Sequence, residues 1–235
     1  LITVLTWLWN QPLGKVKYHP EHVWTWADMV SRNLAMPHRL ACVTTETDLP
    51  PNVERIDPPG EFEDVEPAWG PRKPNCFRRL SMFRRDAAKL FGERFVCMDL
   101  DVVIGGQLDP LFDRDDDLVL FKGTHPSRPY NGSMMLIRAG CRPQVYEEFT
   151  AKGGRFAGEI FVGSDQAWLA LCLGGGEKTW DERDGVHWYK HGKFSNKLQP
   201  RVLFFPGKLK PWTLAPLHIH PFISNNYRIT AREAA

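Results

Sequence analysis

No stretch of this 235-residue chain stays apolar for the roughly 18 positions that a membrane-crossing helix requires, and none has the pattern of a secretory leader. The expected location is therefore the cytoplasm, at most peripheral to the inner membrane face. Charge of one sign is not in excess either: 30 Lys and Arg stand against 28 Asp and Glu, interspersed, for a net charge of +2. A nucleic-acid partner is not expected from such a balance. The five cysteines (Cys42, Cys76, Cys97, Cys141, Cys172) include no Cys-x-x-Cys pair, and several lie in apolar runs, as buried free thiols do. Internal repeats and low-complexity segments are absent. A glycine-rich triphosphate loop is also missing: the first apolar run leads into Trp7-Leu8-Trp9-Asn10-Gln11-Pro12, which cannot cradle phosphates with bare backbone.

What is present alternates between strand and helix patterns. Ile2 to Trp7 reads as a buried strand. Pro20 opens a helix whose Val23, Ala27, Val30 and Leu34 form one apolar stripe. Arg39 to Thr44 reads as a second strand, and prolines from Pro50 to Pro74 mark an irregular segment. A basic amphipathic helix is expected over 76–91, then a strand ending at Asp99. This order predicts an α/β domain with a mainly parallel sheet and helices on both faces. Further on, Leu118–Phe121 and Ser133–Ile137 read as strands flanking a loop at His125-Pro126. Helices are expected over 144–150 and 165–173, the second capped by Ser164. Arg201–Phe205 reads as a last strand before a Pro/Gly-rich tail.

The sharpest chemical signal is Met98-Asp99-Leu100-Asp101-Val102. In extended chain, residues i and i+2 share a face, so Asp99 and Asp101 point the same way while Leu100 packs inward. Two carboxylates this close need a cation or strong donors between them, and Mn²⁺ or Mg²⁺ that also holds a phosphate would serve. The pair sits where open α/β sheets bind ligands, at the carboxyl end of a strand.

Three further segments follow in order. In Tyr130-Asn131-Gly132-Ser133 the Asn-Gly pair reads either as a turn or as an amide and a bare backbone facing a sugar. In Gly163-Ser164-Asp165-Gln166 a helix start reads either as ordinary capping or as a carboxylate and amide beside a reacting anomeric carbon. In Phe205-Pro206-Gly207-Lys208-Leu209-Lys210-Pro211-Trp212 a basic turn reads either as surface or as a diphosphate contact.

Together the four segments resemble glycosyltransferase family 8 and its bacterial relatives, which carry Asp-x-Asp, a small-residue Asn motif, Asp-Gln at a helix start and a C-terminal Gly-x-x-Lys-Pro-Trp. The resemblance covers most of the chain and implies a single-domain GT-A-type, Rossmann-like fold. Residues 1–104 would form the nucleotide-binding half and 105–235 the half that shapes sugar and acceptor. It implies a retaining, metal-dependent hexosyltransferase that uses a nucleotide diphosphate sugar, UDP-linked, and a carbohydrate or lipid-linked acceptor. Carried over by position, Asp99 and Asp101 hold the metal and Asp99 also touches the donor. Thr6, Trp7, Arg79, Asn131, Gly132, Gly207 and Lys210 contact the donor, and Asp165 and Gln166 lie at the anomeric carbon. Gln166 is a poor nucleophile and Asp165 a chemically possible one; front-face transfer without a covalent intermediate is the expectation.

One departure stands out. The family's third metal ligand is a His three residues before the glycine, where this chain has Phe204, and Pro206 stands directly before the glycine. Either His218 or His220 bends back to the metal, or water replaces the ligand, or metal use is weakened. Of the nine tryptophans, most read as core anchors, with Trp188 and Trp212 the candidates for the acceptor side. The competing functions are a nucleotide-sugar-binding module without turnover, and a nucleotidyltransferase or phosphatase using the same aspartates.

Overall fold

The computed structural model describes residues 1–229 except 12, 15, 68, 69, 71 and 196; three of the excepted residues fall in the expected irregular segment. The strands are β1 (Ile2–Trp7), β2 (His38–Val43), β3 (Val53–Ile56), β4 (Arg94–Met98), β5 (Val102–Ile104), β6 (Leu118–His125), β7 (Arg128–Arg138), β8 (Lys178–Trp180), β9 (Val186–Trp188) and β10 (Val202–Phe204). The α-helices are α1 (Pro20–Asn33), α2 (Ala88–Phe91), α3 (Asp109–Phe112), α4 (Gln144–Glu147), α5 (Ala151–Ile160), α6 (Asp165–Leu173), α7 (Pro211–Leu214) and α8 (Pro221–Asn226).

Seven strands form one sheet in the order β3-β2-β1-β4-β7-β6-β8. The β1, β2, β3 and β4 pairings are parallel, as are β6 and β8, while β7 runs antiparallel to both β4 and β6. A second sheet, β5-β10-β9, lies beside it. The outcome is the expected single α/β domain with a mixed, mainly parallel sheet.

Both faces of the central strands are buried, as parallel sheets require. Val4, Val96 and Met98 join the Val23, Ala27, Val30 and Leu34 stripe of α1 in one apolar cluster. The alternate residues Leu5, Phe95 and Cys97 join Phe77, Leu80, Trp168 and Leu169 in another. No helix among the described residues is long and apolar enough to cross a membrane.

Four local expectations are corrected. Residues 76–91 do not form one basic helix: a 3-10 helix, Cys76–Phe83, gives way at extended Arg84 to the short α2. The cause is a spacing of three. Phe77, Leu80 and Phe83 align on a three-residue turn, as do Cys76, Arg79 and Met82, and both rows pack inward, so Arg79 is buried rather than solvated. The helix expected over 144–150 closes at Glu147, and α5 begins separately after Thr150, whose side chain accepts from Gly153 N. Val53–Ile56, inside the expected irregular segment, pairs as an edge strand with β2. Asn131-Gly132 is no turn: both lie within β7, Asn131 opposite Phe121 of β6 and Gly132 where the β6–β7 register shifts.

All five cysteines are free, with Cys42 and Cys97 buried. Burial pushes the thiols of Cys42, Cys76 and Cys97 up to about 12, so none is a thiolate at neutral pH.

Candidate active site

The carboxyl ends of β1 and β4 open into a cleft of about 750 Å³. Asp99 extends the ladder one residue past β4 by donating its N–H to Ser133 O (2.9 Å). Leu100 then turns into the core, and Asp101 O accepts from Phe205 N (3.0 Å), tying the segment to the end of β10. Asp99 and Asp101 therefore both face the cleft, as their spacing requires.

Each carboxylate meets a protein cation. Asp99 Oδ1 accepts from Arg79 Nη1 (2.6 Å). Asp101 Oδ2 accepts from Lys210 Nζ and from the Tyr18 hydroxyl (3.1 Å). Burial pushes the Asp101 carboxyl up, against the pull of the Lys210 ammonium. Lys210 is itself buried and donates a second bond to Phe205 O (2.9 Å).

Arg79 is the hub. Its Nε and Nη2 both donate to Asp165 Oδ2 (3.0 and 2.6 Å), and Nη1 donates to Gly132 O (3.0 Å) as well as to Asp99. Burial opposes the guanidinium's charge, yet Asp165 and Asp99 raise its pKa well above the ordinary value. Gly132 is required by contact: a Cβ there would lie 2.7 Å from Arg79 Nη2 and 2.8 Å from Asp165 Oδ2.

Asp165 is occupied at both oxygens, since Oδ1 accepts from Gln166 N (2.9 Å). It is buried, and neither oxygen is without a hydrogen-bond partner. Ser164 stands at the N-cap of α6 without a side-chain capping bond, so the carboxylate of Asp165 supplies that terminus instead. Gln166 faces the cleft with Oε1 held by Asn131 Nδ2 (2.8 Å), while Asn131 Oδ1 accepts from Ser133 N (2.7 Å). Asn131, which also lines the cleft, thus orients Gln166. Gly163, at φ +125°, leaves room for this: a Cβ there would meet Gln166 Cγ at 2.2 Å.

Trp7 lines a side pocket of about 90 Å³ that shares Tyr18, Arg79, Asp99 and Asp101 with the main cleft. Thr6 is buried within β1 and lines neither space. Gly207, in the left-handed region at φ +78°, lies on the cleft wall. Trp188 lines the cleft and stacks on Phe121, their rings 4.5 Å apart. Trp212 does not line it; its ring packs on His22 at 4.0 Å. Tyr18 had no sequence signal, because its role depends on an 83-residue separation from Asp101.

His218 adopts a left-handed conformation (φ 52°) between two short helical turns, and His220 caps α8 with its ring against Tyr189 and Phe194. Neither lines the cleft, and they lie at the junction of a 3-10 turn and α8. Phe204 and Phe205 are buried in the core. Among the described residues no group of three His, Cys, Asp or Glu side chains could hold a metal ion. Hard six-coordinate cations take oxygen ligands, and here the two available carboxylates already hold Arg79 and Lys210. The donor set does not fit a resident Mn²⁺ or Mg²⁺.

Comparison with solved structures identifies the architecture. The galactosyltransferase LgtC, in complex with donor and acceptor sugar analogues, superposes with a TM-score of 0.64 at 14% identity over 99% of this chain and 98% of that one. The chain has a glycosyltransferase fold. The glycosyltransferase GlyE of Streptococcus pneumoniae TIGR4 matches 89% of it with a TM-score of 0.57 at 13% identity, and the bifunctional glycosyltransferase WbbM matches 96% with 0.53 at 12%. This chain spans 56% of that GlyE chain and 50% of WbbM. No family model matches the sequence, and no curated protein matches it.

Proposed function

We propose that this protein is a glycosyltransferase that moves a hexose from a nucleotide diphosphate sugar, UDP-linked, to a carbohydrate or lipid-linked acceptor with retention. One observation carries the reading: Arg79, Asp99, Gly132, Asp165, Gln166 and Lys210, from distant parts of the chain, converge in one cleft at the carboxyl ends of the strands. LgtC, which has the same fold, was solved with donor and acceptor sugar analogues, and sugars are the ligands proposed for this cleft.

In this reading the base enters the side pocket beside Trp7, and the diphosphate lies against Lys210 and Gly207. The sugar sits between Gly132 and Gln166, and the acceptor enters past Trp188. The bond between the anomeric carbon and the diphosphate oxygen breaks. The acceptor hydroxyl forms the new bond on the same face and gives its proton to the departing phosphate oxygen. Gln166 supplies an oriented amide dipole at the positive charge that develops on the sugar. The occupied oxygens of Asp165 favour this front-face course over a covalent sugar–enzyme intermediate.

Calorimetry with UDP, followed by donor hydrolysis and transfer assays over a panel of UDP-hexoses and glycan acceptors, tests the proposal. UDP binding together with sugar release is expected. Binding without turnover across the panel would support the binding-module alternative, and absence of nucleotide binding would overturn the reading.

A further inference from the structure

We infer that this site handles the donor diphosphate with its own cations and needs no divalent metal, an inference that rests on the proposed nucleotide-sugar reading. Three independent observations carry it. The first is what already sits on the aspartates. Lys210 Nζ bonds Asp101 Oδ2 and Phe205 O, two oxygens of the kind a divalent ion would take, and Arg79 Nη1 bonds Asp99 Oδ1. An ion bound between Asp99 and Asp101 would have to displace these donors or stand against an ammonium and a guanidinium at short range, where like charges repel strongly in a partly buried site.

The second is the missing third ligand. Hydrocarbon side chains occupy positions 204 and 206, and His220 does not line the cleft, its Nε2 lying 3.2 Å from the Tyr189 hydroxyl. The third is charge. Beyond Arg79 and Lys210, the cleft is lined by Arg72, Lys73, Arg128, Lys190 and Lys208, while its only carboxylates among the described residues are those of Asp99, Asp101 and Asp165. Cations in excess of carboxylates suit a diphosphate directly, whereas a metal site gathers carboxylates to hold its ion.

Lys210 is the central group. Two of its three N–H donors are spent on Asp101 and Phe205, which fixes the ammonium at the cleft wall and leaves the third for a diphosphate oxygen. The rim cations, Lys208 foremost because it follows Gly207 directly, add neutralising charge as the nucleoside diphosphate departs. Asp101 and Tyr18 then act as positioning groups for Lys210.

The test is calorimetry of the full chain with UDP in excess EDTA and again with saturating Mn²⁺. The two affinities should agree to within about tenfold. Lys210→Met, and Lys210→Met combined with Asp101→Asn so that no buried carboxylate is left unpaired, should each lower UDP affinity in EDTA by about tenfold or more. Circular dichroism identifies which of the two remains folded. Binding that collapses in EDTA and returns with Mn²⁺ would overturn this inference and leave the glycosyltransferase reading standing. Wild-type affinity in a folded Lys210 variant would overturn it too. Failure of UDP to bind under either condition would overturn the parent reading and this one with it.

Discussion

Arg79 holds Asp165 through two donors on a single oxygen, Nε at 3.0 Å and Nη2 at 2.6 Å from Oδ2, while its Nη1 reaches Asp99 Oδ1 at 2.6 Å. One guanidinium therefore joins the helix that carries Gln166 to the strand end that carries the aspartate pair. The fork geometry matters, because a lysine offers a point charge in place of five directed donors. Arg79→Met would leave the buried Asp165 carboxylate uncompensated, a defect that costs about 3–5 kcal/mol. Arg79→Lys should recover only part of that stability. Urea unfolding of the three proteins measures the series, and equal midpoints would refute it.

Gly132→Ala is a sharper probe of the same cluster. Its methyl would stand 2.7 Å from Arg79 Nη2 and 2.8 Å from Asp165 Oδ2. Neither atom can swing clear, because both are buried and paired. Such overpacking typically costs about 1–3 kcal/mol. The variant should unfold at lower urea and lose transfer activity, whereas Gly175→Ala, with nothing within 4 Å of its added methyl, should do neither.

The aspartate pair and the α1 stripe were legible in sequence because local periodicity decides both. Val23, Ala27, Val30 and Leu34 all reach the core, and the i and i+2 rule places Asp99 and Asp101 together even though the chain bends there instead of remaining a strand. The 3-10 helix at Cys76 was not legible. Over eight residues a spacing of three resembles one of 3.6, and only packing separates them. Contacts such as Arg79–Asp165 and Lys210–Asp101 span 86 and 109 residues, so the residues could be named but their pairing awaited the sheet order. His218 and His220 illustrate the same limit, since a left-handed turn at His218 decides where both rings go and no periodicity announces it.

His22 gives a pH prediction. Its Nδ1 accepts from His19 N (2.8 Å), a bond available only to the unprotonated ring, and burial lowers its pKa to about 4. The unfolded chain, with a pKa near 6.5, binds the proton more readily. Stability contributed by neutral His22 is thus complete above pH of about 6.5 and is lost as pH falls toward about 4. Comparing the unfolding free energy at neutral and mildly acidic pH in wild type and in His22→Phe isolates the effect. The variant, whose ring can still pack on Trp212, should show the flatter pH dependence. An identical slope in the two proteins would count against the assignment.

Asn131 and Gln166 should behave as one functional unit. Asn131 Nδ2 holds Gln166 Oε1 at 2.8 Å, and its own Oδ1 accepts from Ser133 N, so the expected role of Asn131 is to orient Gln166. Gln166→Ala removes the oriented dipole and should lower kcat by about 10²-fold, the scale seen when one preorganised group is removed from a transition state. Asn131→Ala lets the amide rotate and should lower kcat by less, with KM for the donor nearly unchanged. In the double variant the Asn131 effect should vanish, because the group it positions is gone, and a double-mutant cycle on kcat reads that coupling directly. Additive losses would mean that Asn131 meets the sugar itself.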